Sequence, residues 1–293
     1  MILIGENINV MSKKVARAFK ERDKKTIQEM AVALAEAGMD YLDLNIGPAR
    51  KEGPELMRWV VETVQEVVDL PLFLDTTNVE AIRAGLEANK KGTPVINSIS
   101  YRPDRIEALF PLVKEFDVPF VALLLGAEGI PRDANERGMI LAEFTAKAEE
   151  EGISQERMWV DPIILPVSAQ QDQVKEVVEF MRMFQELGMS CKSTCGLSNV
   201  SNGTPKELRP ILNRTYLIML KRYGMQSAIV DGFDKELIEI ARGKREDLEQ
   251  LVYRAMDGEE IDLSQLSEEE ANYVKTVNVL MGRTLYSHSW LRV

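Results

Sequence analysis

Two kinds of segment alternate along this chain from residue 2 to about residue 245. Eight short apolar runs lack strict polar alternation, as is typical of strands buried on both faces of a parallel sheet. Between them lie segments with apolar residues every three or four positions, typical of amphipathic helices. A doubly wound sheet would also fit, but eight repeats favour an α/β fold of the (β/α)8 TIM barrel type. The runs are MILIG, YLDLNIG, LPLFLDTT, TPVINSIS, VPFVALLLG, RMWVDPI, SCKSTCG and SAIVDGF.

The alternation stops after residue 245, and the rest of the chain predicts a helical extension. We therefore divide the chain into a barrel at 1–245 and a C-terminal extension at 246–293. Ser267 followed by Glu270 has the pattern of a capping box, so a helix of about five turns is expected from there to Leu285. Its apolar side chains could cover an end of the barrel or another subunit, and we favour packing on the barrel.

Composition argues against several classes of protein. The formal net charge of −11 disfavours general nucleic-acid binding, which depends on clustered Lys and Arg. No stretch of about 20 uncharged apolar residues is present and the first residues do not resemble a secretory signal, so we expect a cytoplasmic protein that does not enter a membrane. The single histidine, His288, excludes a multi-histidine metal site, and no metal site is predicted. Cys191 and Cys195 are expected to be reduced thiols.

Four of the segments end in a polar side chain: Asp75 in FLDTTN, Asn97 in VINSIS, Asp161 in WVDP and Asn199 in CGLSNVSNG. In a parallel barrel the C-terminal ends of all strands open on one face, so these side chains should converge. Carboxylates complement a heterocyclic edge that presents an amino group beside a ring N–H, as a 2-amino-4-oxo pyrimidine does, and a carboxamide suits a mixed edge. An Asp in this position also often caps the next helix, but the joint occurrence favours one ligand site.

Other polar residues interrupt apolar strands: Glu6 and Asn7 in GENINV, and Asp43 and Asn45 in LDLNIGP. Burying such groups is costly unless they are hydrogen-bonded or contact a ligand. We therefore expect all four side chains to line the same site.

The loop GLSNVSNG follows the seventh strand. Gly196 permits close backbone approach, while Ser198 and Asn199 place small polar groups at the mouth of the barrel. A phosphate-binding turn is the generic alternative at this position of a barrel, but the loop contains no lysine.

Nearly the whole chain resembles the pterin-binding methyltransferases, and it is most similar to the methyltetrahydrofolate:corrinoid/iron–sulfur protein methyltransferases. The GExxN opening and the GLSNVS loop separate that branch from dihydropteroate synthase and from the folate module of cobalamin-dependent methionine synthase, which share the fold. The matching strings are IGENIN, LDLNIGPA, LDTTN, INSIS, DPIILP, GLSNVS, RPILNRT, AIVD and LMGRTLYSHS.

The resemblance implies roles for individual residues. Asp75, Asn97 and Asp161 would hold the pterin ring of the substrate, methyltetrahydrofolate or tetrahydrofolate. Gly196, Ser198 and Asn199 would lie beside its reactive face, and Arg209 in LRPILNRT looks like the family's arginine near the substrate.

The implied reaction moves a methyl cation from nitrogen 5 of methyltetrahydrofolate to cob(I)alamin. We assign Asn199 to the contact with nitrogen 5, with a proton arriving through water near Asp43 or Asp75. The chain has no DxHxxG cobalamin motif, so the corrinoid should arrive on a partner corrinoid iron–sulfur protein. The resemblance also suggests a homodimer.

Three alternatives stay open from the sequence. The same enzyme could run in the reverse direction, as the tetrahydrofolate methyltransferase of a demethylase system. A dihydropteroate synthase would need a basic cluster for a diphosphate, and Lys192 is the only lysine in CKSTCGLSNVSNG. A non-catalytic folate-binding subunit is disfavoured because every candidate catalytic group is present.

Overall fold

The computed structural model describes residues 1–292, and within them eight strands form a single parallel sheet. Each strand coincides with one of the apolar runs that the sequence marked. The seventh run gives the shortest strand, of two residues. The strands are β1 (Ile2–Asn9), β2 (Tyr41–Asn45), β3 (Leu72–Asp75), β4 (Val95–Ser100), β5 (Phe120–Leu123), β6 (Met158–Asp161), β7 (Lys192–Ser193) and β8 (Ser227–Val230).

The sheet closes on itself into a barrel. Its strands pair in the order β7-β6-β5-β4-β3-β2-β1-β8, so the remaining edge joins β7 and β8. There the backbone N–H of Ile229 donates to the carbonyl oxygen of Cys195 at 2.8 Å, and the Ser227 hydroxyl donates to the carbonyl oxygen of Ser193 at 2.8 Å. The predicted (β/α)8 barrel is therefore confirmed.

Helices surround the barrel because each amphipathic segment buries its apolar face against the sheet. Within residues 1–292 the eleven α-helices are α1 (Lys13–Glu21), α2 (Lys24–Glu36), α3 (Gly53–Gln65), α4 (Val79–Ala88), α5 (Pro103–Phe116), α6 (Ala134–Glu150), α7 (Val167–Leu187), α8 (Arg209–Arg222), α9 (Lys235–Ala241), α10 (Glu246–Met256) and α11 (Glu268–Leu280). None of them, over those residues, has the length and apolar character needed to cross a bilayer.

The last two helices, α10 and α11, pack against α8 on the outside of the barrel. Ser267 and Glu270 form the predicted capping box, and Tyr273, Val277 and Leu280 are buried. The expected length was wrong, since α11 has 13 residues and the chain turns away at Gly282, whose φ is +72°. Leu285, which we expected in the apolar face of this helix, is instead 84% exposed.

The interior of the barrel is filled by apolar side chains. Phe73 and Trp159 meet edge to face with ring centroids 5.4 Å apart, and Tyr41 meets Trp159 in the same way at 5.6 Å. This plug closes the barrel beneath its C-terminal end, so a site at that end has a solid floor. Its buried members are Ile4, Phe73, Val95, Val121, Trp159 and Ile229.

Candidate functional site

A layer of polar side chains lies above the apolar plug, and each of its members follows a plug residue two positions later along the chain. Successive side chains of a strand point to opposite faces, so the residue two positions after each member of the plug also faces the interior, nearer the C-terminal end. These later residues are nearly all polar. The pairs, plug residue first, are Ile4 and Glu6, Tyr41 and Asp43, Phe73 and Asp75, Val95 and Asn97, Trp159 and Asp161, and Ile229 and Asp231.

The ends of β2, β3 and β4 place four predicted site residues together. Asn45 is opposite Asp75 in the sheet, and Asp75 is opposite Asn97. The Asn45 amide donates to the Asp75 carboxylate at 2.5 Å, and the Asn97 amide donates to Asp43 at 3.0 Å. Each carboxylate thus keeps one amide partner, which leaves its remaining lone pairs for a ligand.

Burial governs the protonation of these carboxyl groups. Asp43 is 2% exposed, and burial raises its pKa well above the ordinary value, with the nearby Asp75 raising it further. Burial also raises the pKa of Asp75, although the hydrogen bond from Asn45 opposes that shift. Two neighbouring carboxyl groups with raised pKa values can hold a proton near neutral pH, as a proton donor requires.

Asp161 at the end of β6 is linked to the loop that follows β7. Its carboxylate accepts hydrogen bonds from the backbone N–H of Ile163, at 2.8 Å, and of Gly196. A Cβ at position 196 would lie 3.0 Å from the amide nitrogen of Asn199, so the glycine there allows a close approach of the Asn199 side chain. Asp161 and Asn199 therefore lie on the same side of the molecule, at one mouth, as the sequence predicted.

Glu6 and Asn7, in the second half of β1, connect to the other side of the mouth. The Ser198 hydroxyl donates to Glu6 at 2.7 Å, and the Asn7 amide donates to Asp231 at 2.8 Å. Burial raises the pKa of Glu6 to about 7, against the opposing hydrogen bond from Ser198. The nearby Asp231 raises that pKa and Arg209 lowers it.

Arg209 holds the loop of residues 197–202 from behind. Its guanidinium donates to the Ser201 hydroxyl at 3.1 Å and to the Asn202 side-chain oxygen at 3.4 Å. The Asn202 amide in turn donates to the side-chain oxygen of Asn199 at 3.3 Å. Arg209 therefore lies near the predicted site and is tied to the orientation of the exposed Asn199 amide through Asn202.

Two residues in this network were missed by sequence reasoning. Asp231 was not assigned to the predicted site, yet its carboxylate accepts from Asn7, 224 residues away along the chain. The step from Ile229 to Asp231 repeats that of the other strands and is the signal that could have found it. Asn202 was treated as loop, and no sequence pattern distinguishes it from the other small polar residues around it.

We expect the Glu6→Gln variant to be more stable than the wild type at pH 8 but not at pH 5. The folded state raises the pKa of Glu6 from 4.5 to about 7, so it binds the proton more tightly than the unfolded chain does. The free energy of unfolding must then fall as pH rises through that window. A neutral Gln removes this penalty, which is on the order of 3 kcal/mol at pH 8. Thermal unfolding of both proteins at the two pH values measures it, and an equal difference at both would contradict the shift.

A second concavity lies beside the mouth but shares no residue with this polar layer. It is a groove of about 500 Å³ between α5, the loop after β5 and α6. Ile130 and Met139 line it and are 46% and 63% exposed. The groove is mainly apolar and lacks the strand-end carboxylates, so the polar layer remains the candidate site.

Comparison with known proteins identifies relatives over most of the chain. A model of the pterin binding enzyme family matches residues 5–231. The methylcorrinoid:tetrahydrofolate methyltransferase of Eubacterium limosum is 28% identical over 240 residues, which cover 81% of this chain and 88% of that protein. The methionine synthase of Mycobacterium leprae is 26% identical over 241 residues, covering 78% of this chain but only 20% of that longer protein.

The fold is also found among solved structures. A dihydropteroate synthase from Xanthomonas albilineans, in complex with 7,8-dihydropteroate, superposes with a TM-score of 0.64. It is 21% identical, and the match covers 83% of this chain and 93% of that structure. At this identity the likeness establishes the shared barrel and nothing about the reaction.

Proposed function

Because the chain belongs to the pterin-binding enzyme family, we propose that it moves a methyl group between nitrogen 5 of tetrahydrofolate and the cobalt of a corrinoid protein. The family that the sequence motifs indicated is confirmed, since the matching region covers residues 5–231. The observation that carries the proposal is the meeting of Asp161 with the Gly196–Asn199 loop, opposite Asp75 and Asn97, at one open end of the barrel.

The polar layer suits the pterin ring. Asp75 and Asp161 supply carboxylates for the amino group and ring N–H of a 2-amino-4-oxo edge, which donate in parallel. Asn97 adds a donor and an acceptor for the mixed edge of the bicycle. The apolar plug closes the barrel below these side chains, which are already held in place by Asn45, Asp43 and the backbone.

Methyl transfer requires a change at nitrogen 5. As the bond between carbon and nitrogen breaks, its electron pair stays on nitrogen, while the electron pair of cobalt(I) forms the new bond to carbon. Nitrogen leaves poorly as an anion, so it must carry a proton. The side-chain oxygen of Asn199 accepts a hydrogen bond from the developing N–H⁺, and the carboxyl pair Asp43 and Asp75 is the source of the proton through water. Microscopic reversibility lets the same groups serve the reverse direction.

The corrinoid comes on a partner protein in this proposal. The mouth is open where it must approach, since Asn199 is exposed. Met11 and Phe233, on the loops after the paired strands β1 and β8, are 86% and 48% exposed and offer apolar surface to a partner at the rim. A homodimer remains a prediction from the family resemblance.

Dihydropteroate synthesis is the less favoured reaction. Lys192, the one lysine of the segment CKSTCGLSNVSNG, is paired in register with Trp159 and lies over its ring, with the ammonium 4.6 Å from the centroid. This position is at the level of the apolar plug, below the polar layer, so the lysine does not serve a diphosphate at the mouth.

A direct assay tests the proposal. The protein is mixed under anaerobic conditions with methyltetrahydrofolate and reduced free cobalamin, and the absorbance of methylcobalamin is followed. We expect methylcobalamin to form at a rate proportional to enzyme concentration. If the protein bound the folate but transferred no methyl group to free or protein-bound cobalamin, it would be a folate-binding subunit instead. Formation of dihydropteroate from a pterin diphosphate would identify the other activity of this fold.

A further inference from the structure

Arg137 on α6 is a fully buried arginine with no role in the site described so far. Its guanidinium donates four hydrogen bonds, all to uncharged oxygens. They go to the carbonyl oxygens of Pro162 at 2.7 Å, Asp133 at 3.1 Å and Ile163 at 3.5 Å, and to the side-chain oxygen of Gln173 at 2.9 Å. A buried charge without a carboxylate in direct contact is costly, so its presence calls for an explanation.

The two carbonyl groups of residues 162 and 163 belong to the turn that directly follows Asp161. Ile163 has φ of +63°, a left-handed conformation that a β-branched residue rarely adopts. In the same turn the Ile163 N–H donates back to the Asp161 carboxylate at 2.8 Å. Such strain persists only where the surrounding structure fixes the backbone. Here the guanidinium of Arg137 donates to the carbonyl oxygens of Pro162 and of Ile163 itself.

Arg137 also acts on Asp161 through its charge. Burial raises the pKa of Asp161 to about 6, the N–H groups of Ile163 and Gly196 oppose that shift, and the guanidinium of Arg137 opposes it as well. A carboxylate must be ionised to accept two N–H donors of a pterin edge. A cation behind the turn therefore favours the binding-competent form of Asp161.

We propose that Arg137 is a positioning residue of the pterin site, which fixes the turn of residues 162–163 and balances the negative charge of the Asp161 carboxylate from behind. It does not touch the ligand. This inference rests on the proposed function, because it assumes that Asp161 receives the pterin edge.

Other titratable groups face this pair. Cys195 lies near Asp161, and Tyr216 on α8 lies near Arg137; burial raises the pKa of both well above the ordinary values, so both are neutral at neutral pH. Asp133, which caps the N-terminus of α6, and Glu176 on α7 also face the guanidinium. The carboxylates of these two acids accept from the backbone of Glu136, at 2.9 Å, and of Ala134, at 3.1 Å.

The test measures tetrahydrofolate binding by fluorescence between pH 5 and pH 8.5, without any corrinoid. Wild-type affinity should fall as the pH drops and Asp161 becomes protonated. In Arg137→Met the midpoint of this fall should move up by about one pH unit, which weakens binding at pH 6.5 by about threefold. Arg137→Lys keeps the charge but loses the paired guanidinium donors to the turn. Its affinity for tetrahydrofolate should therefore fall at every pH, while the pH midpoint stays in place.

A double-mutant cycle separates Asp161 from Glu6, Asp43 and Asp75, which also titrate at the mouth. In the Asp161→Asn background, Arg137→Met should leave the midpoint unchanged. An equal upward shift of the midpoint in both backgrounds would overturn the proposal, and so would an unshifted midpoint in a folded Arg137→Met variant.

A gentler variant covers the case in which Arg137→Met does not fold. Gln173 is partly buried and its side-chain oxygen accepts from Arg137. Gln173→Glu would place a competing carboxylate on the guanidinium, so it should shift the midpoint upward as Arg137→Met does, and an unshifted midpoint would contradict the proposal. If the wild type did not bind tetrahydrofolate at any pH, the proposed function itself would be wrong.

Discussion

Replacing Asn199 by alanine should lower the rate of methyl transfer by roughly a hundredfold to a thousandfold while changing the affinity for methyltetrahydrofolate by less than about threefold. The amide lies on the exposed loop at the mouth, held by Asn202, and not among the buried carboxylates that suit the pterin edge. Its oxygen accepts from Asn202 in the free protein, and it gains the contact with nitrogen 5 only when that nitrogen becomes protonated, so this contact contributes to the transition state and not to binding.

Single-turnover kinetics with reduced free cobalamin, together with equilibrium binding of the folate, separate the two effects of Asn199→Ala. Asn202→Ala is the matched control, since it removes a neighbouring amide of the same loop, together with its contact to Asn199, but keeps the Asn199 side chain. That control should slow the reaction by less than about tenfold. If Asn199→Ala and Asn202→Ala lowered the rate equally, the effect would come from disturbance of the loop and the assigned role of Asn199 would be wrong.

The fold follows from the sequence because strand and helix periodicity are local properties. All eight apolar runs contain strands, and the polar residues that end them lie at the mouth of the barrel. The length of the last helix did not follow, because apolar spacing continues beyond Leu280 to Leu285 although the chain turns at Gly282. The spacing of apolar residues does not reveal whether a surface is present for Leu285 to pack on.

Most residues of the candidate site were also predicted from the sequence, but the hydrogen bonds between them were not. Polar residues inside apolar strands identified Glu6, Asp43 and Asn45 as groups that need partners. Which partner each one takes depends on the closure of the barrel, as for Glu6 and Ser198, which are 192 residues apart. Which carboxyl groups titrate near neutral pH depends on their burial, which no spacing reveals.

Arg137 shows a further limit of sequence reasoning. In the segment ANERGMILAEF an arginine on an amphipathic helix is expected to extend into solvent. The structure instead turns it toward the carbonyl groups behind Asp161, because the turn after β6 leaves those groups without partners of their own. A buried charge of this kind is recognised only once the backbone of a distant turn is known.

We expect Asp75→Asn to weaken folate binding by about a hundredfold, which corresponds to about 2.7 kcal/mol. One oxygen of Asp75 accepts from Asn45 at 2.5 Å, and an amide at position 75 can keep that contact through its own oxygen. The group turned toward the pterin edge would then be an NH2, so donor would face donor and at least one charge-assisted hydrogen bond would be lost.

Isothermal titration of Asp75→Asn with methyltetrahydrofolate at pH 8 measures this loss. Unfolding of the variant would not explain this loss of affinity. Burial raises the pKa of Asp75, so its ionised carboxylate destabilises the folded protein at pH 8. The neutral amide should therefore leave the midpoint of thermal unfolding equal or higher. The matched control is Asp69→Asn, the same chemical change just before β3, where the side chain is 88% exposed and paired with Lys91 at 2.7 Å. Asp69→Asn should bind folate as the wild type does, and wild-type affinity in Asp75→Asn would remove Asp75 from the site and leave Asp161 as the carboxylate that orients the ring.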